Sequence, residues 1–529
     1  MAILSLPEPP WRRAASDTIS LVRPTVALDG ASLTRGALGA IAGGAVSVAL
    51  TDQARAQVAA SRAVVDRVAS GDLAVYGINT GFGSFADVRI EPGALETLQV
   101  NLLRSHAAGV GAPLPVPVVR AMMALRANVL ARGHSGIRLE TLDLLVAMIN
   151  GGVHPVVPCR GSVGASGDLA PLAHLALVLV GEGQVHGTAG GMVPGHDALA
   201  RAGLQPARLA PKEGLALING TQASTAVLAL AVLAAERLAR AADVAAALSI
   251  DALRGSTRPL DPRIHQARPH AGQAVSAANL ARLLEGSGIN QSHANCGRVQ
   301  DAYSERCAPQ VHGACRDALA FIARTVDIEA NASTDNPMVF ADTGDIVSGG
   351  NFHGAPVGLA ADLLAAAVTQ VATISERRVE RLVNPALSDL PAFLTEHGGL
   401  ESGLMLAQVT AAALASELKA LAHPISVDTI PTSANKEDHV SMSMAAALRS
   451  AQSVELATMV VAVELLCAAE AVDLLAPLTT SPPLAAVHAA VRARVARRRG
   501  DRPPSPDIAA LAAMIADGAL DHIVGPLVN

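Results

Sequence analysis

Apolar residues recur along most of this chain at helical spacing, and glycine-rich breaks separate the runs. Asp52–Ala69 mixes charged and apolar residues as an amphipathic helix does, and it ends before Gly71. His174–Val180 is a short apolar run stopped by Gly181 and Gly183. Three longer runs, from Gln222 toward Ile250, Ala355 to Asn384 and Gly403 to Ala422, are rich in Ala and Leu, both strong helix formers. Another, Val454–Leu475, is interrupted by Glu464. So the chain predicts a mainly α fold, and helices this apolar want partners on every face. Thr25–Asp72 predicts a series of short helices, and residues up to 24 read as an unstructured tail. Val75–Phe85, with three glycines among aromatics, predicts a loop. So do Ser333–Pro337 and Gly349–Gly354.

Composition narrows this picture. A length of 529 residues allows two or three domains, or one large helical body with appendages. Hydrophobic residues make up 50% and mean hydropathy is +0.36. Yet Ala40–Leu50 and Ala226–Ala235 are too short to span a bilayer, and Met1–Arg13 has no apolar core of signal-peptide length. These runs read as buried helices of a soluble protein. A net charge of −6 over this length points to neither nucleic acid nor an anionic membrane. The basic run Arg492–Arg502 reads as a solvated helix face. Five scattered cysteines with no CxxC or zinc spacing fit a reducing cytoplasm, each as a small buried residue. Aromatic residues are only 2%, with two tyrosines, Tyr76 and Tyr303. Either these are kept for their phenols or they are chance survivors in an Ala-rich chain.

One stretch carries chemistry: Gly161-Ser162-Val163-Gly164-Ala165-Ser166-Gly167-Asp168-Leu169-Ala170-Pro171. Asp168 predicts a helix N-cap and Pro171 fits the first turn. A plain glycine-rich helix start accounts for the spacing. A phosphate cradle is weaker, because the glycines do not follow the dinucleotide fingerprint and no P-loop lysine follows. A hydrolase nucleophile elbow needs Gly two residues after the serine, where Asp168 stands. A fourth reading uses the triplet itself. Gly167 has no Cβ, so its amide nitrogen can close a five-membered ring on the Ala165 carbonyl carbon. Loss of two waters, one carrying the Ser166 hydroxyl, leaves a conjugated methylidene electrophile made from backbone.

This loop resembles the signature of the aromatic amino acid lyases that carry a methylidene-imidazolone (MIO) group. The resemblance runs from about residue 25 to the C-terminus, with five loops matching in order. It implies an MIO formed from Ala165, Ser166 and Gly167, with no soluble cofactor and no metal. It implies Tyr76 as the base that takes the β-proton, a task for which a phenol of pKa about 10 must be held near its deprotonated state. Arg306, beside Gln300 and Tyr303, is implied as a clamp on the substrate carboxylate, which its planar fork suits. In a helix, Tyr303 and Arg306 share a face; the bland alternative for Arg306 is an ion pair with Glu305 or Asp301. Asn219 is implied beside the MIO and Phe352 against it or the substrate, where the residues alone allow a turn residue and a core aromatic. Ser105-His106 is similar to the histidine-specific members, since an imidazole can hydrogen-bond another imidazole. Glu437, in Thr432–Met442, matches the glutamate that faces a substrate imidazole; a capping box with solvated charges explains that stretch equally well.

The resemblance therefore implies deamination of L-histidine to trans-urocanate and ammonia, the first step of histidine degradation. It implies an ammonia-lyase/fumarase-like fold in a homotetramer whose sites draw on three chains. The expected divisions are a tail over 1–24, an N-terminal domain over 25–220, a central bundle over 221–475 and a C-terminal helical segment over 476–529. Two alternatives stay open: a phenylalanine or tyrosine lyase or 2,3-aminomutase, and a helical scaffold without the chemistry. Ser105-His106 and Glu437 count against the first, and the full set of site residues counts against the second.

Overall fold

A computed structural model describes residues 23–71, 74–81, 88–187, 190–294, 297, 299–525 and 527. The tail over 1–24 lies almost wholly outside the described residues, as do Phe82–Phe85 and Cys296. Helix dominates, and the strands form four two-stranded pieces among the described residues. One of these corrects an expectation. Within Thr25–Asp72, Thr25–Leu28 pairs in parallel with Ser47–Leu50, bridged by the Arg35–Ala42 helix. Runs of four residues are too short for a period-2 pattern to stand out from short helices. Asp52–Ala69 is helical as predicted, with the Thr51 side chain accepting the Ala54 N–H at its start.

Five long helices pack together beyond this region: Gln222–Ala252, Ala308–Glu329, Ala355–Val383, Met405–Leu421 and Ser443–Leu474. The last has 32 residues and so runs about 48 Å. Leu, Val and Ala side chains fill the space between them, and one hydrophobic cluster extends from Leu28 to Leu527. Ala355–Val383 is long and apolar enough to cross a membrane, but 67% of its most apolar stretch is buried in the protein.

The charges inside the bundle are paired. Glu464, which interrupts an apolar run, accepts Arg378 at 2.5 and 2.9 Å and the Ser249 hydroxyl at 2.7 Å. Asp243 likewise accepts His312 at 2.8 Å and Arg316 at 2.6 Å. Burial without such partners costs far more than the pair gains. The Arg492–Arg502 run is not a solvated helix face. Its helix stops at Arg494, Arg492 bonds Glu470 at 2.9 Å, and Arg498 is buried to 6% side-chain exposure. Glu470 and Asp473 of the Ser443–Leu474 helix draw Arg492 in, which no local pattern reveals, whereas Arg498 pairs with Asp501 at 3.6 Å. Cys315 and Cys467 are buried and Cys159 and Cys307 half-buried, all four free.

Candidate active site

The starts of four helices meet at the 161–168 loop. Asp168 opens the Leu169–Leu179 helix, but it does not cap that helix with its side chain as expected. Its carboxylate reaches instead to the Gln222–Ala252 helix, accepting Ser224 N at 2.7 Å and Ser224 Oγ at 2.8 Å. It also accepts Ser162 Oγ at 2.7 Å, so it ties the loop to a second helix. Burial pushes the Asp168 carboxyl above its ordinary value despite these bonds. The outer half of the loop is held by the other two helices. Gly354 N donates to Gly164 O at 3.0 Å, and Met442 N donates to Val163 O at 2.8 Å. Positive helix ends thus surround the loop.

Glycine is required where the loop meets the Gly220 backbone. Gly167 has φ +75°, and a Cβ there would stand 2.3 Å from the Gly220 carbonyl oxygen. The Ser166 carbonyl accepts Asn219 Nδ2 at 2.8 Å. Asn219 Oδ1 is buried with no hydrogen-bond partner among the described residues. Beneath it, the fully buried Arg126 donates to the carbonyls of Asn219 at 2.8 Å and Ala216 at 2.5 Å, and to Gln222 Oε1 at 2.6 Å. Burial pulls the Arg126 guanidinium down to about 10, against the charge of Asp335. These residues fit an MIO. The ring position has a bare glycine, the central carbonyl has a donor, and an unpaired amide oxygen stands beside it.

Glu437 meets the loop from the far side: its Oε1 accepts Ser166 Oγ at 2.5 Å. Its Oε2 accepts Thr432 Oγ1 at 2.5 Å and Ser433 Oγ at 2.9 Å. Burial raises the Glu437 carboxyl, but the three hydroxyl bonds and the charge of His106 outweigh it and leave it below its ordinary value. His106 closes the Leu95–His106 helix, its Nδ1 2.9 Å from Leu102 O. Burial lowers its pKa despite that bond and the Glu437 charge. Residues 432–437 do not form a helix cap. They close a tight turn with left-handed Ser433, Ala434 and Asn435, and the following helix starts only at Ser443. Half-buried Phe352 lies two residues before Gly354, which holds the loop, and its neighbour His353 stacks on His439 with ring centres 5.8 Å apart. Tyr76 is half-buried in a turn that packs on Leu215, four residues before Asn219.

Gln300, Tyr303 and Arg306 lie elsewhere. Tyr303 is 70% exposed and lines a separate cavity of about 340 Å³ with Gln370, Thr373 and Arg377 of the Ala355–Val383 helix. At about 1.5 Å per residue those positions are roughly 24–34 Å along the helix from the end that touches the loop. The Tyr303–Arg306 helix does set the two side chains together, with the guanidinium 4.7 Å from the ring centre. Among the described residues Arg306 forms no ion pair with its expected acidic neighbours; Glu305 bonds Arg381 at 2.9 Å and Asp301 accepts Ser256 N at 2.7 Å. Arg306 Nε is buried without a hydrogen-bond partner among the described residues.

The sequence profile described as Aromatic amino acid lyase matches residues 33–493, most of the chain. The chain belongs to the aromatic amino acid lyase family. Family members depend on an MIO, which needs no soluble cofactor. A histidine ammonia-lyase of Anaeromyxobacter sp. (strain K) is 57% identical over 505 residues, covering 94% of this chain and 99% of that protein. The crystal structure of histidine ammonia-lyase from Trypanosoma cruzi superposes with a TM-score of 0.89 at 45% identity, covering 96% of both chains. Tyrosine aminomutase from Streptomyces globisporus superposes with a TM-score of 0.90 at 36% identity, over 95% of this chain and 98% of that one. Lyase and mutase share this fold, so side chains in the site decide between substrates. Arg126, Thr432 and Ser433 join the site without a local sequence signal that assigns them to it. The two hydroxyls sit inside the Glu437 motif and their type was visible; nothing local marks Arg126, 93 residues from the carbonyl it holds.

Proposed function

We propose that this chain deaminates L-histidine to trans-urocanate and ammonia. The observation that carries the reading is Glu437, with one carboxylate oxygen on the Ser166 hydroxyl. A carboxylate at the reacting serine suits a substrate ring with an N–H to donate, which a phenyl ring lacks, and His106 supplies an imidazole for the ring's other nitrogen. The MIO formed from Ala165, Ser166 and Gly167 supplies an electrophile for the substrate amine, so that ammonia becomes able to leave. Tyr76 takes the β-proton from the substrate. Arg306 holds the carboxylate, its unpaired Nε being one of the donors that await it, with Gln300 and Tyr303 alongside. Asn219 Oδ1 accepts from the substrate amine, and Phe352 packs over the ring.

Loop and clamp stand at opposite ends of a long helix, so one chain does not bring Arg306 to its own Ser166. Antiparallel packing of copies would bring one chain's clamp to another's loop, which supports the reading of a homotetramer with shared sites. The free thiols support a cytoplasmic location. Purified protein given L-histidine should produce the near-ultraviolet absorbance of urocanate, and L-phenylalanine and L-tyrosine should give little cinnamate or coumarate. Turnover of phenylalanine or tyrosine in preference to histidine would overturn this reading.

A further inference from the structure

Two hydroxyls that touch no reacting atom converge on the back of Glu437. Oε2 accepts Thr432 at 2.5 Å and Ser433 at 2.9 Å, whereas Oε1 faces Ser166 at 2.5 Å. The backbone that presents them is closed on itself. Thr432 N donates to Glu437 O at 3.0 Å, and Asn435 N donates to Thr432 O at 3.0 Å. Between them Ser433, Ala434 and Asn435 have φ of 50°, 53° and 68°, and none of them is glycine. L-residues adopt this conformation at a cost, and runs of it persist where the surroundings over-determine them. A glutamate side chain has three rotatable bonds; the turn takes that freedom away.

We infer that Thr432 and Ser433 are positioning residues for substrate selection, holding Oε2 of Glu437 so that Oε1 alone is presented to the site. In the uncyclised chain Oε1 receives the Ser166 hydroxyl. Maturation removes that hydroxyl as water, and the same oxygen is then open to the ring N–H of the substrate. The carboxylate that selects the substrate is therefore occupied until the electrophile exists. This rests on the histidine reading of the site. The titratable group whose protonation bears on Glu437 is His106, at the end of the Leu95–His106 helix, and burial disfavours its charged form.

The test uses the full-length protein with Thr432→Val, Ser433→Ala and the conservative Thr432→Ser. Histidine affinity is measured by calorimetry in a Ser166→Ala background, which has no turnover and leaves Oε1 open. Thr432→Val and Ser433→Ala should each weaken binding about tenfold or more, as loss of a hydrogen bond to a charged group does, and Thr432→Ser should restore it. With Ser166 intact, the acid limb of kcat/KM should move to higher pH, because the lost donors no longer favour the carboxylate. Unchanged affinity and an unmoved acid limb in folded variants would overturn the inference, as would equal losses in Thr432→Ser and Thr432→Val. Ser433 is exposed, so Ser433→Ala decides the matter if Thr432→Val does not fold. A Ser166→Ala protein that takes up no histidine would count against the histidine reading instead. The acid limb, measured with whichever aromatic amino acid the enzyme turns over, would then still decide the role of the two hydroxyls.

Discussion

Asn219 is where backbone chemistry and substrate meet: its amide nitrogen holds the Ser166 carbonyl and its oxygen is left unpaired in a buried place. Asn219→Ala removes a donor aimed at the carbonyl on which negative charge develops. The expected loss of turnover is about 100- to 1000-fold, with the unfolding midpoint little changed. Steady-state kinetics beside a thermal melt separates the two effects. Glu437→Gln keeps the shape and removes the charge. Thr432 and Ser433 still donate to Glu437 after the Ser166 hydroxyl has gone, so its carboxylate form is favoured as pH falls and is lost at the acid end. The variant should lose that acid limb and favour histidine over phenylalanine by about tenfold less than wild type. Gly167→Ala places a methyl against the Gly220 carbonyl in a left-handed residue. Its near-ultraviolet difference spectrum should show no MIO absorbance, which the low aromatic content makes easy to read.

At the scale of elements, the long helices were legible because Ala, Leu and Val repeat at helical spacing over many turns, and the Ala355–Val383 helix ends one residue before the Asn384 that the pattern gave. The Thr25–Leu28 and Ser47–Leu50 strands were not, since four residues carry too little period. Asp168 was legible as a helix start, but its bond to Ser224 spans 56 residues and depends on how two helices pack. The 432–437 turn reads like a capping box, yet its acidic side chain is recruited by Ser166, 271 residues away. Glu464 is similar: in sequence it only breaks an apolar run, whereas in the fold Arg378 meets it. Arg378→Leu would leave that carboxylate buried and unpaired, at a cost of about 3–5 kcal/mol. A lowered denaturation midpoint, with MIO absorbance retained in the folded fraction, is the expected result.

Across the whole molecule, the separation of the clamp from the loop makes a prediction about mixtures. Ser166→Ala and Arg306→Ala chains should each be nearly inactive alone. Co-assembled in equal amounts, they should recover activity in about a quarter of the sites, where an intact loop meets another chain's intact Arg306. A protein whose site lay within one chain would recover none. Substrate, assembly and selectivity all presuppose that Ala165, Ser166 and Gly167 have become an electrophile. Intact-protein mass spectrometry tests this directly. The purified chain should weigh two waters less than its sequence, and Ser166→Ala should weigh what its sequence requires. A wild-type chain at full sequence mass that still released ammonia from histidine would contradict the account.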